Sequence, residues 1–262
     1  MRLPIFVLLL FVLAAFRSDK PVAVKKIAAH NCYFTSDAMG NLYIARGDNL
    51  EKYDQNGNLV RIFSDKTLGQ VSTVDATNPL RLVVFYRDFS QVIFLDNTLT
   101  RNGSGINLQE LGFPAGSLVS QSFDNGTWFY DQQNFELVRL DKDLNIAQRT
   151  GNLGQQLNMD LKPNALLESG NYVFLNNPQT GILLFDIFGT YYKTIPAKGL
   201  TDFQVRGDDV FYGDSTGMSY RYAIKTNTFD SLRIAPGKVN HARLEKERLF
   251  ILQHDTITIF RR

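Results

Sequence analysis

Residues 40–63 read GNLYIARGDNLEKYDQNGNLVRIF. An apolar run, Leu42 to Ala45, stops at Gly47-Asp48. A second run ends in Tyr53-Asp54, and a third follows the polar stretch Gln55 to Asn58. Runs this short, split by Gly, Asn and Asp, predict strands joined by tight turns. Asp at the end of a strand can accept from backbone N–H groups two residues on and fix the turn. Gly57 can take the positive φ such a turn needs.

The same unit recurs at 80–102, 126–150, 170–195 and 208–232, and a last copy at 247–262 stops after its second strand. Its marker aligns at Tyr53-Asp54, Leu95-Asp96, Leu140-Asp141, Phe185-Asp186, Tyr222-Ala223 and Phe260-Arg261, in steps of 42, 45, 45, 37 and 38 residues. The last two copies lose the Asp. Before each copy lies one more short strand: 32–36, 71–75, 117–123, 164–168, 202–206 and 241–245. These strands mix small and polar residues with apolar ones, as the narrow inner end of a tapering sheet requires. A full unit is therefore four strands in about 40 residues, the size of a propeller blade.

Two irregularities share one explanation. The sixth unit lacks an outer strand, and the segment 20–29, KPVAVKKIAA, is a strand without a blade. If Val22 to Ile27 pair beside the last blade, the ring closes and an open edge disappears. Pro21 is tolerable at the start of an edge strand. The expected fold is all-β: a six-bladed β-propeller of four-stranded blades over 20–262. No amphipathic helix is expected.

The repeats resemble those of six-bladed propellers of the NHL and YWTD-like kind, and those of uncharacterised secreted propellers of Bacteroidota. The resemblance covers 20–262 and rests on repeat pattern and length. Neither a WD dipeptide nor a YWTD tetrapeptide occurs. It implies a fold, and a fold does not imply a function.

Residues 1–16 carry Arg2 and then an uncharged apolar stretch, LPIFVLLLFVLAAF. Such a stretch predicts a signal peptide, 1–14, cut after Ala14. At 14 residues it is shorter than the roughly 20 a membrane span needs. Export to the periplasm or the extracellular space is expected, with no membrane span after cleavage. The 262 residues hold 28 Lys and Arg against 26 Asp and Glu. That balance gives no general case for nucleic-acid or anionic-membrane binding. With 20 Phe and 11 Tyr but a single Trp, the composition favours pleated, half-buried surfaces. The one Cys, Cys32, cannot form an internal disulfide.

In a propeller, the turns between the second and third strands share a face with the connections between blades. These turns supply Asp48, Asp88, Asp131, Asn177, Asp214 and Asp255, one per blade. A carboxylate ring there could hold a cation or meet a basic partner, but turn preference alone also accounts for it. Arg46, Arg87, Phe89 and Phe135 sit in or beside the same turns and are candidate contacts. His30, His241 and His254 could gather at the closing seam as a zinc or copper site, although no metal-motif spacing supports one. The segment from Asp141 lacks the Gly and Glu of an EF-hand loop. No nucleophile elbow, P-loop or dinucleotide fingerprint occurs. The expectation is a non-enzymatic, exported scaffold that binds another envelope protein and needs no cofactor. The alternative is a metal-dependent hydrolase resembling propeller lactonases.

Overall fold

The structure, a computed structural model, describes residues 21–262 except 215, 233 and 235–237. The leader 1–14 and Lys20 lie outside the described residues. Six antiparallel sheets of four strands each form the ring. Blade one is Tyr33–Ser36, Leu42–Arg46, Asn49–Tyr53 and Leu59–Ser64, paired in that order. The inner strands of blades two to six are Thr73–Asp75, Gly116–Gln121, Ala165–Ser169, Gln204–Arg206 and His241–Leu244. Each falls within or against its expected segment.

The sixth sheet is closed as expected. Val22–Ala28 lies beside Thr256–Arg261, with Ile27 opposite Ile257 and Ala28 opposite Thr256. Ile27 is buried with Phe34, Leu42, Ile44, Phe250, Ile257 and Ile259, in the core that joins the last blade to the first.

Each blade is sandwiched between two others, so both faces of its middle strands must be apolar. Leu82–Tyr86 is therefore LVVFY with all five residues buried, and no polar alternation survives. Thr127–Asp131 and Glu136–Leu140 are buried throughout for the same reason. The aromatic excess goes into these joints: Tyr43, Tyr86, Trp128, Phe129, Phe174, Phe185 and Phe250 are all fully buried. Each such ring contributes roughly 2–3 kcal/mol of transfer free energy.

The marker aspartates make one turn four times over. Asp54 accepts from the N–H groups of Asn56 and Asn58 at 2.9 and 2.8 Å. Asp96, Asp141 and Asp186 accept from the residues two and four positions on in the same way. One helix departs from expectation: a single turn, Leu153–Leu157, in the connection between blades three and four. Asn152 caps it, accepting from Gln155 N at 2.9 Å. Five residues are too few to carry a helical period, so no sequence pattern marks it.

Candidate functional site

The inner strands enclose a central channel of about 1100 Å³. At one end lie the turns between second and third strands. At the other the inner strands finish and turn back.

The six turn residues stand on the first face, and five of them are engaged locally. Asp48 accepts from Ser64 Oγ at 2.8 Å. Asp131 is buried and accepts from Gln133 N and Asn134 Nδ2 at 2.9 and 2.7 Å. Asn177, also buried, accepts from Lys162 N and donates to Asp160 O and Thr180 Oγ1. Asp214 accepts from Thr216 N and Met218 N at 2.9 and 3.0 Å. Asp255 meets His30 Nδ1 at 3.1 Å. Asp88 sits in the 3-10 turn Arg87–Phe89. Among the described residues no three His, Cys, Asp or Glu side chains are grouped so as to hold a metal ion.

His30 reaches the turn that carries His254 and Asp255, whereas His241 is drawn to Asp202, in the connection before blade five. Arg46 is tied down by Glu51 at 3.2 Å and by Ala28 O at 2.5 Å. Arg87 is exposed at the channel mouth, and its side chain has no partner among the described residues. Phe89 and Phe135 are 55% and 40% exposed. Leu111, 37% exposed, lies in the connection from blade two to blade three, the blades that carry these two rings.

The opposite end holds a network that no sequence motif announces. Asp75, at the end of blade two's inner strand, accepts from Ser120 Oγ and Gln121 N of blade three at 2.7 and 2.9 Å. Glu168 of blade four accepts from Ser122 Oγ, Phe123 N and Trp128 Nε1, all of blade three, at 2.9, 2.6 and 2.6 Å. Glu245 of blade six accepts from Ser36 Oγ of blade one at 2.6 Å and Gln204 Nε2 of blade five at 2.9 Å. Burial pushes the Glu168 and Glu245 carboxyls up, against the pull of these donors. The three carboxyls stitch neighbouring blades together where the sheets are narrowest.

A second cluster lies where the inner strands begin, towards the turn face. Asp202 accepts from Arg243 Nη2, from His241 Nε2 at 2.8 Å and from Phe203 N at 2.7 Å. Burial alone would raise its carboxyl, but Arg243 and His241 hold it down at about 2. The Tyr33 hydroxyl nearby donates to Val74 O at 3.4 Å, and burial pushes it up to about 12. The His241 ring packs on Phe34, with centroids 4.4 Å apart. The one signal for this cluster in the sequence is the set of polar residues on inner strands, where apolar ones would pack equally well.

No protein-family model matches the chain, and no curated protein matches it. Solved structures do. One is virginiamycin B lyase from Staphylococcus aureus, at 11% identity and TM-score 0.56, covering 91% of this chain and 98% of that one. Another is the Pan2 WD40 domain of Neurospora crassa, at 8% identity and TM-score 0.61, covering 92% and 95%. A third is PorZ, a bacterial surface component of the type-IX secretion system of Porphyromonas gingivalis. It has 14% identity and TM-score 0.50, covering 86% of this chain and 31% of that one. At these identities the likeness shows the propeller fold alone.

Proposed function

We propose that the chain is an exported, non-enzymatic propeller that binds another protein of the cell envelope through the turn face of blades two and three. The observation that carries this is the trio Phe89, Leu111 and Phe135, exposed on one face of two adjacent blades beside Arg87, whose side chain has no partner among the described residues. Exposed aromatic and Arg side chains on a rigid scaffold are the usual anchors of protein interfaces. Export is supported by the apolar stretch 3–16. The resemblance to secreted propellers and the likeness to PorZ, itself a surface component, agree with that compartment. A photo-crosslinking residue at Phe89 or Phe135 should yield one discrete adduct with another envelope protein in cells. The same residue at Tyr192, on the outer strand of blade four, should not. Equal labelling from all three positions, or none, overturns the reading.

The second reading is a metal-dependent, lactonase-like hydrolase, and the His241–Asp202 pair in the channel is what favours it. Metal-dependent turnover of a lactone panel that disappears in His241→Ala would establish it.

A further inference from the structure

The closing strand Val22–Ala28 and the outer strand of blade one, Leu59–Ser64, stand on either side of the joint between the last blade and the first. Arg261, Ile259 and Ile257 alternate on one face of the last blade, and Val22, Lys25 and Ile27 lie opposite them. Ile257 and Ile259 are buried against blade one, so this face is the one turned to it. In blade one, Leu59 lies opposite Tyr53 and Ile62 opposite Glu51, whose neighbours across the sheet, Leu42 and Ile44, belong to the same core. Val22, Leu59 and Ile62 therefore line one groove at the rim of the ring, with Val60 between the last two. All four are 49–57% exposed. Arg46 crosses the inner end of the groove, from Ala28 O to Glu51.

The composition of the groove selects its occupant. Protein interfaces anchor on aromatic and Arg side chains, with Lys depleted and Leu and Val poor in hot spots. Here the exposed groups are aliphatic. Lys25 and Lys26 flank them, both exposed and without a hydrogen-bond or ion-pair partner among the described residues. Aliphatic groups beside lysine suit the headgroup region of a bilayer. The other charges are mixed. Arg261 and Arg262 stand at the foot with Glu247, whose carbonyl accepts from Arg262 N at 3.2 Å. The turn of Asp54 and Gly57 lies against Lys25, and Glu51 is paired with Arg46. Apolar contact therefore leads, and the two lysines bias it towards anionic headgroups. The chain before the groove points to the same occupant. The apolar stretch 3–16, outside the described residues, ends five residues before Pro21. Five residues span at most about 18 Å. While that stretch sits in a membrane, this rim is held at the membrane surface. Cleavage after Ala14 removes the tether and leaves the groove as the contact.

We propose that this groove is a membrane-docking edge. Val22, Leu59, Val60 and Ile62 enter the interface of a phospholipid bilayer, and Lys25 and Lys26 sit among its anionic headgroups. The edge lies on the rim of the ring, apart from the turn face of blades two and three. The protein interface proposed there needs no lipid, and this edge needs no protein, so the two fail separately.

Co-sedimentation of the exported protein with protein-free vesicles tests it. Vesicles of phosphatidylethanolamine with phosphatidylglycerol should bind it at least about threefold more tightly than phosphatidylcholine vesicles. Val22→Gln with Ile62→Gln should weaken binding to both at least about tenfold and leave thermal unfolding unchanged. Ile146→Gln, at a position equally exposed on the outer strand of blade three, should leave binding unaltered. Lys25→Gln with Lys26→Gln should abolish the preference for the anionic vesicles. If the first pair of changes prevents folding, Ile62→Gln alone should still cost about threefold. No binding to either vesicle, an equal loss in Ile146→Gln, or unaltered binding in the folded groove variants overturns the assignment. So does a lipid-free dimer that Ile62→Gln dissociates, because a second copy would then be the occupant.

Discussion

Glu168 and Trp128 meet across the joint between blades four and three, the carboxylate Oε2 accepting the indole N–H at 2.6 Å. Both are buried, and Trp128 is the only tryptophan. Its fluorescence therefore reports on this one joint. Glu168→Ala would leave Ser122 Oγ, Phe123 N and Trp128 Nε1 without their acceptor. The expected cost is about 3 kcal/mol, or about 6–12 °C in Tm, with a red-shifted emission at the native baseline. An unshifted Tm in differential scanning fluorimetry would remove Glu168 from the list of blade-joining residues.

Two glycine-to-alanine exchanges should differ sharply. A Cβ on Gly181 would stand 2.1 Å from Ile195 O and 3.1 Å from Ala197 N, both backbone atoms that cannot move aside. Gly181→Ala should cost upwards of about 3 kcal/mol or prevent folding. A Cβ on Gly47 meets nothing within 4 Å, so Gly47→Ala should cost only the left-handed backbone strain at φ +59, about 1 kcal/mol. Chemical denaturation of both variants measures the gap.

Asp202 sets an acid limit. Its carboxyl is held at about 2 in the fold, below the usual unfolded value near 3.9. Its contribution is therefore fully present above about pH 4 and is lost as pH falls towards 2. That contribution is roughly 2.6 kcal/mol at neutral pH. Asp202→Asn should cost at least about that much at pH 7, because Arg243 loses its counter-charge and His241 Nε2 its carboxylate partner. The difference from wild type should shrink between pH 4 and pH 2. Urea melts across that range would show it, and a constant difference contradicts the assignment.

The closing strand offers a matched pair. Ile27 is buried in the joint between the last blade and the first, whereas Val24 is exposed at a bulge in the same strand. Ile27→Ala should cost about 2–3 kcal/mol and Val24→Ala under about 0.5. Equal effects in thermal melts would mean that the strand does not share in the core.

What could be read from the residues alone follows from how far each interaction reaches. Asp54, Asp96, Asp141 and Asp186 find their acceptor geometry within four positions, so their spacing exposes the blades. The missing outer strand of the sixth copy and the spare Val22–Ala28 complete one another for the same countable reason. Asp75, Glu168 and Glu245 find their partners in other blades, 45, 46 and 209 residues away in the cases of Ser120, Ser122 and Ser36. No local pattern encodes those meetings. Asn177 and Asp131 show the converse: as turn residues they look available, yet their own turns and neighbours bury them.

The joint between Val22–Ala28 and Thr256–Arg261 also dictates an order of events. The first strand of the ring leaves the ribosome more than 220 residues ahead of its partner. Blades one to five can form from neighbouring segments, but the closing pair must wait for the whole chain. During that interval a seven-residue strand with bare N–H and C=O groups is open to any other chain. Lys25 and Lys26 in its centre, and Pro21 before it, make it a poor template for such pairing. Two lysines with little part in the finished core thus guard the protein while it is still incomplete.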